Sequence, residues 1–425
     1  MKSISPFSIA GEIEAIKTKR SGEVAERRKF HNLVLESGLA ELFRRWCSTG
    51  MSAGNTSQDL VRYLYLGTGT SEPATSDIGL ESRSGTLAGK NGGTAPYASG
   101  NVIDFDNDYY EVWYTYRYAY SEGEAEGVWT ELGLSDSSYA NPMTRALFRG
   151  ESGNAESLTV LSDEYLTVFY TIRFVMEPQD LGEIQIGGET ISCRYLPGVN
   201  TYENSDGSVF YNYATGHLTR EDTGMLSNLQ PLLNVSDGTT TTADVVNNWS
   251  FSSDTYVSQG ISYSDSVSAE AADFMAQLNL QIEPTDNDVP LAAIAMLYGH
   301  FQFNSGRGEF GVIRMDPVAN KRADYRVTIA IDIELVAHGE PVSGLTDTAT
   351  TTSLDFTWDA YPNATEYRLV LRQAGTEITT QTVTAPTTTA SFSGLTASTQ
   401  YHLDIKPIAT PRNGRRLIYA ASTTA

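Results

Sequence analysis

Toward the end of the chain, apolar side chains alternate with others in short runs. Leu354, Phe356 and Trp358 form one trio, Tyr367, Leu369 and Leu371 another, and Tyr401, Leu403 and Ile405 a third. A two-residue period puts each trio on one face of an extended strand, whereas a helix would spread it around its axis. Pro, Gly, Asn or Thr clusters bound each run. Strands this short and half-apolar bury their faces by stacking as two sheets. Thr fills twenty of the last eighty positions, in keeping with strand surfaces that favour β-branched residues. Residues 344–425 are therefore predicted to form a sandwich domain of their own.

Strand signals dominate the remainder of the 425 residues, a length that allows two to four domains. The run GEIEAIKTK, the turn RSGE and the run VAERRKFHNLVLE predict an opening hairpin, with Gly22 supplying the positive φ of a tight turn. One helix is predicted over 37–48. Ser37 would cap it, and Leu39, Leu42, Phe43 and Trp46 would give it one apolar stripe for docking. Residues 68–101 are Gly/Ser/Thr/Ala-rich and predict a long surface loop. A long hairpin closed by the acidic turn Ser121–Gly127 follows, then strands at TRALFRG and YLTVFYTIRFVM. Pro178 marks a boundary, and a second helix is a candidate over 269–280. No internal repeat is present. The expectation is all-β: β-sandwich domains over 1–178 (with the helix) and 179–343, then the terminal sandwich.

The net charge is -23, and it is concentrated in the middle of the chain. Residues 91–300 hold thirty Asp and Glu against six Arg, a net of 6 − 30 = −24. Phosphate contacts need cations, so nucleic-acid binding is not expected. The acidic side chains are expected on solvent-facing loops, where Glu124→Lys should be tolerated. The opening residues lack a long apolar run, which predicts no secretory signal, and no stretch approaches the roughly 18 apolar residues of a spanning helix. No membrane insertion is expected. Cys47 and Cys193 are too far apart in sequence for a metal or redox motif and read as free thiols.

Reactive chemistry is sparse. The five His are scattered, with no triad-like or metal-ligand spacing. GRGEFG at 306–311 fits a dinucleotide pattern but joins two strand-like runs, so it reads as a hairpin turn. Asp104, Asp106 and Asp108 alternate as calcium ligands can, yet Tyr109 stands where a calcium loop turns on Gly and Thr115 where it needs Glu. No catalytic residue, metal or cofactor is expected. The most unusual stretch is a ladder of Tyr110, Tyr114, Tyr116, Tyr118 and Tyr120 in one strand register with Val112. That face carries no charge. It can pack against a second sheet, form a subunit interface, or stack on sugar rings. Under the first two readings Tyr116→Asp would block folding or assembly.

Trp358 on an early strand, a Tyr two strands later and SGLTASTQY before another strand resemble a fibronectin type III module. The resemblance implies that Leu395 and Tyr401 form the corner that pins its two sheets together, and that the module spaces or binds. Over residues 8–345 the ordered pieces RSGEV, FHNLVLESGL, LYLGTGTSEP, SDIGL, WTELGLS, TRALFRG and LTVLSDEYLTVFYTIRF resemble tailed-bacteriophage virion proteins of the tail or tail-fibre type. That resemblance implies a structural, multi-copy protein. It would be made in the host cytoplasm, located in the virion, and partnered by other virion proteins and by copies of itself. A host-receptor adhesin that binds surface glycan is the alternative. A glycan-degrading tail spike fits less well, since no β-solenoid repeat is present.

Overall fold

The computed structural model describes residues 8–39, 61–93, 96–104, 109–135, 142–150, 153–197, 201–203, 209–211, 228–233, 263–270, 275–282, 289–297, 309–334, 336–339, 341–410 and 413–425. The expected helix survives there as one turn, residues 36–39, with Leu39 buried. The turn starts before Ser37, so Ser37 lies inside it and does not cap it. Leu42, Phe43, Trp46 and Cys47 lie outside the described residues, as do Asp106 and Asp108.

The first group of strands runs β1 (Ser8–Lys19), β2 (Val24–His31), β3 (Leu33–Val34), β4 (Tyr63–Gly67), β5 (Lys90–Asn91), β6 (Ala98–Asp104), β7 (Tyr109–Tyr120), β8 (Gly127–Trp129), β9 (Glu131–Ser135), β10 (Thr144–Leu147), β11 (Leu158–Val160) and β12 (Glu164–Met176). One sheet has the order β2-β1-β12-β7-β6, a second the order β3-β10-β9-β4-β5, and β11 pairs with β8. The opening hairpin forms as expected, with Gly22 at φ 87° in its turn. The long hairpin through Ser121–Gly127 does not form. β7 pairs with β6 on one side and β12 on the other, while the turn carries the chain away to β8. The cause is legible in β12, whose inner residues Leu166, Val168, Tyr170, Ile172 and Phe174 match the aromatic face of β7 along its length. A central strand with an apolar face gains more from two such neighbours than from one hairpin arm.

The second group comprises β13 (Gln179–Ile186), β14 (Glu189–Pro197), β15 (Thr201–Glu203), β16 (Val209–Tyr211), β17 (Asn228–Leu233), β18 (Tyr263–Glu270), β19 (Met275–Ile282), β20 (Val289–Leu297), β21 (Glu309–Lys321), β22 (Val327–Glu334) and β23 (Val336–Ala337). The helix candidate at 269–280 is overturned, because β18 and β19 form an antiparallel pair with Val267 opposite Leu278. Leu278, Leu280 and Ile282 alternate with Gln277, Asn279 and Gln281, and that strand period prevails over the helix-favouring Ala residues before it. β23 returns to the first sheet: Ser8 has Val175 on one side and Val336 on the other. Residues 179–334 are thus inserted between two strands that flank β1. Their second-domain stretch closes before residue 343, and its buried side chains join those of the first sheets in one cluster.

The terminal strands are β24 (Thr346–Ala349), β25 (Ser353–Thr357), β26 (Ala364–Gln373), β27 (Thr376–Thr384), β28 (Thr389–Ser393), β29 (Gln400–Ala409) and β30 (Leu417–Ser422). They make a three-stranded sheet, β24-β25-β28, facing a four-stranded one, β27-β26-β29-β30. This is the two-sheet arrangement of a fibronectin type III sandwich, and it has its own core. Trp358 and Leu395 are buried in it, with the Trp358 ring edge-on to Tyr367 at 5.2 Å. Tyr401 is buried too, and its hydroxyl accepts the Thr396 backbone N–H at 2.9 Å.

Candidate functional site

The Tyr ladder is core. Tyr110, Tyr116, Tyr118 and Tyr120 are each at most 4% exposed, enclosed between the β7 sheet and the smaller sheet over it. Tyr118 donates its hydroxyl to the Val61 carbonyl, and Tyr120 donates to the Leu64 carbonyl at 3.5 Å. Tyr114 is half-buried and meets Phe174 edge-on at 6.5 Å. Tyr110, Tyr116, Tyr118 and Tyr120 are therefore closed to sugars and to a second subunit within the described fold, and for them sheet packing is the option realised. Asp104 ends β6, half-buried. Among the described residues no group of three or more His, Cys, Asp or Glu can hold a metal ion.

Two charged networks lie where none was expected. In the first, β9 carries Glu131, fully buried, opposite β10 with Arg145, 2% exposed. Arg145 Nε donates to Glu131 Oε2 at 2.8 Å and Nη1 to Asp77 Oδ2 at 2.7 Å. Its Nη2 reaches Glu81 Oε2 at 3.0 Å and the Ser71 carbonyl at 3.0 Å. Glu131 also accepts backbone N–H groups from Gly69 at 3.0 Å, Glu81 at 3.1 Å and Ser82 at 2.7 Å. The three ion pairs of Arg145, with the backbone bonds to Glu131, thus fasten the strand-poor loop after β4 onto the sheet. Burial works against the Arg145 charge, but Asp77 and Glu131 outweigh it and hold the guanidinium above its ordinary pKa.

The second network clasps the terminal module to the first sheet. Glu111 on β7 is 4% exposed. It pairs with Arg173 of β12 at 2.6 Å, with Arg415 just before β30, and with the Tyr109 hydroxyl at 2.5 Å. Below it, Glu177 takes Lys406 of β29 at 3.3 Å and Arg416 at 3.6 Å. Asp404 completes the chain, with Arg372 at 3.2 Å and Arg416 at 3.5 Å. The Arg416 guanidinium also sits 5.3 Å from the Tyr109 ring centre. Backbone bonds reinforce the contact, from Gly339 N–H to the Asn413 carbonyl at 2.9 Å and from His338 N–H to the Ile9 carbonyl at 2.8 Å. Burial pushes the Glu177 carboxyl up, but Lys406, Arg416 and His338 outweigh it and hold it below the usual range. At Asp404 burial wins over Arg416 and Arg372, and the carboxyl sits above its ordinary value.

Beside the clasp, a cleft of about 620 Å³ opens between Gly11, His31 and Asn32 on one side and His338 and Tyr361 on the other. Burial, opposed by Glu12 and aided by Arg415, lowers His31 to about 4. It is neutral at pH 7. Arg149 at the rim is paired with Glu72 at 2.7 Å. Within its lining Ser343 donates its hydroxyl to Asp359 Oδ2 at 2.9 Å, and Arg145 reaches the same lining from the first network. The acidic turn also departs from expectation. Glu124 holds Lys90 at 2.7 Å and the Ser121 N–H at 2.7 Å, so Glu124→Lys would oppose two ammonium groups. Glu124 itself is exposed on its turn, whereas Glu111, Glu131 and Glu164 are buried within strands and do not face solvent from loops.

No family model matches the chain, and no curated protein matches it. Among solved structures, the fn3 domain of human collagen alpha-1(XX) chain is 20% identical over 21% of this chain and 88% of that one, with a TM-score of 0.20. The FN5 domain of Drosophila Lar is 17% identical over 20% of this chain and 97% of that one, at a TM-score of 0.18. Domains d3–d4 of the rat CD45 extracellular region are 19% identical over 23% of this chain and 56% of that one, at a TM-score of 0.19. Each likeness spans about a fifth of the chain. The all-β fold and the terminal fibronectin type III-like sandwich stand on the strand order and cores described above.

Proposed function

We propose that this chain is a non-catalytic structural component of a tailed-bacteriophage virion, a multi-copy tail or tail-fibre-attachment protein that works beside other virion proteins. The ordered motifs from RSGEV to LTVLSDEYLTVFYTIRF support the class. The observation that carries the structural role is the use made of buried charge. Arg145 and Glu111 each sit at the centre of a network that braces one part of the chain against another. Rigid bracing between a strand-built body and a terminal module suits a protein that transmits force or sets spacing. Mass spectrometry of gradient-purified particles from the phage genome encoding the chain tests this. Recovery at multiple copies per particle is expected, and absence from intact particles rejects the reading.

Host-glycan attachment keeps one observation in its favour. Tyr97 is 63% exposed, lies 5.4 Å from Phe169, and has the Arg117 guanidinium 5.8 Å from its ring centre. A bare ring beside a cation can stack on a sugar. Glycan-array binding that Tyr97→Ala abolishes would favour this second role; an array without signal would remove it.

A further inference from the structure

Edge strands expose a row of unused N–H and C=O groups, and proteins commonly blunt them with charge, Pro or short length. Most edges of this chain are guarded in that way. The edge strand β2 carries Glu26, Arg27, Arg28 and Lys29, β13 carries Asp180 and Glu183, β18 carries Asp265 and Glu270, and β22 carries Asp332 and Glu334. The shorter β17 contains Pro231. On the terminal module, β30 is tied to the facing sheet by the Tyr419 hydroxyl on Asp347 at 2.8 Å, and β24 is four residues long.

β27 departs from this pattern. It spans nine residues, Thr376–Thr384, at the end of its sheet and pairs only with β26 among the described residues. Eight of the nine are exposed and Val383 alone is buried, although Thr379 and Gln381 stand opposite the buried Leu371 and Leu369. The strand therefore overhangs the three-stranded sheet, and neither of its faces is covered along most of its length. Its one charge is Glu377, and the extra residue Ile378, 45% exposed, sits at a bulge toward one end. Thr fills five of its positions, and Thr side chains hydrogen-bond across paired strands.

We propose that β27 is a self-association edge, at which two copies of this chain pair antiparallel about a two-fold axis through Thr380. The observation that favours a second copy is that the strand can pair with itself along its whole length without setting its one charge against a like charge. With Thr380 opposite its own counterpart, Thr376 meets Thr384, Glu377 meets Val383, Ile378 meets Thr382 and Thr379 meets Gln381. All nine residues overlap and no like charges are opposed. Such an isologous contact closes on itself, joining two four-stranded sheets into one of eight. A single pair of strands buries little area, so the contact is weak alone and gains strength where copies are already held together. The inference rests on the multi-copy reading above, for which it supplies the contact.

Directly opposed Cα atoms in an antiparallel pair lie about 4.5–5.5 Å apart. A disulfide bridges about 4.4–6.8 Å. Thr380→Cys, made in the full chain on a Cys47→Ser background, should therefore give a covalent dimer under mild oxidant. Sedimentation velocity of the unaltered chain should show a concentration-dependent dimer. Thr380→Lys, which sets two cations face to face on the axis, should weaken that dimer at least about tenfold. A chain that stays monomeric at all concentrations and gives no Thr380→Cys cross-link overturns the proposal. So does a dimer that a folded Thr380→Lys variant leaves unmoved. If Thr380→Lys unfolds, the cross-link decides alone: a dimer supports the contact and its absence rejects it. A monomer in solution that also gives no cross-link refutes this edge and leaves the virion reading to its particle test. Absence from particles refutes that reading and leaves the edge to sedimentation.

Discussion

Glu111 and Arg415, 304 residues apart in the chain, form an ion pair with their side chains only 5% and 14% exposed. This pair turns the terminal sandwich from a tethered bead into a docked part of the body. Glu111 shares its other oxygen with Arg173 at 2.6 Å, so its charge is met from both sides of the junction.

Breaking a buried pair by removing one partner is costly because the remaining charge is stranded, at up to about 3–5 kcal/mol. Arg415→Ala should therefore undock the module while leaving its own core intact. Calorimetry should show a separate module transition in the variant where the parent unfolds with the junction intact, and proteolysis should speed up near residues 338–345. An unaltered melting profile would show that the clasp does not hold the module.

Glu131→Gln should loosen the loop after β4. The amide keeps one acceptor oxygen, but its NH₂ group would face N–H donors at Gly69, Glu81 or Ser82, and Arg145 loses a buried counter-charge. A loss of about 3 kcal/mol is expected, read as a lower denaturant midpoint with faster cleavage within residues 68–89. Arg145→Lys should be nearly as harmful, since one ammonium cannot serve Glu131, Asp77, Glu81 and Ser71 in a fork. Parental stability in both variants would mean that the network is not what secures the loop.

The contrast between these networks and the strands shows what one-dimensional patterns carry. Alternation in β12 and in the ladder of β7 marks the inner face of a sheet because side-chain period and burial are the same local fact. Trp358 and Tyr401 are legible for the same reason, whereas Leu395, which lies between strands, is marked only by the resemblance to a fibronectin type III module. Partner choice is not local. Nothing near Glu111 announces Arg415, and β7 took β12 rather than the next strand in sequence because the matching apolar face lay 44 residues further on, from Tyr120 to Glu164. A signal for the Arg145 network was nevertheless present: single charges, Glu131 and Arg145, within the otherwise uncharged runs ELGLS and TRAL. A charge inside such a run, once the run is buried, requires a partner.

His31 gives the fold a pH dependence. Its imidazole is lowered from 6.5 to about 4, so between those values the unfolded chain binds a proton that the folded chain refuses. Stability from this group is full above pH 6.5 and is lost as pH falls toward 4, with a slope of at most about 1.4 kcal/mol per pH unit for one proton. Lowered Glu12 and Glu177 act in the same direction at lower pH, while raised Asp404 opposes them. His31→Gln should flatten the profile of unfolding free energy between pH 6.5 and 4.5. An identical slope in the variant would assign the dependence to other groups.

Two tyrosine hydroxyls close the module's loops in the same way, and they provide a test of its internal construction. Tyr401 accepts the Thr396 N–H and Tyr367 accepts the Tyr361 N–H, each at 2.9 Å. Both rings lie in the module core, so Phe in either place keeps the packing and removes only the acceptor. A buried N–H left without a partner costs about 1–3 kcal/mol, somewhat less where water can reach it. Tyr401→Phe and Tyr367→Phe should each lower the module's own transition by that order. The two corners bond different backbone groups and share no partner, so the double variant should lose close to the sum. Neither change touches Glu111, Glu177 or Arg415, so docking should persist in both until the module itself melts. A Tyr401→Phe variant with an unmoved module transition would mean that the hydroxyl contributes nothing, leaving Leu395 and ring packing to hold the corner.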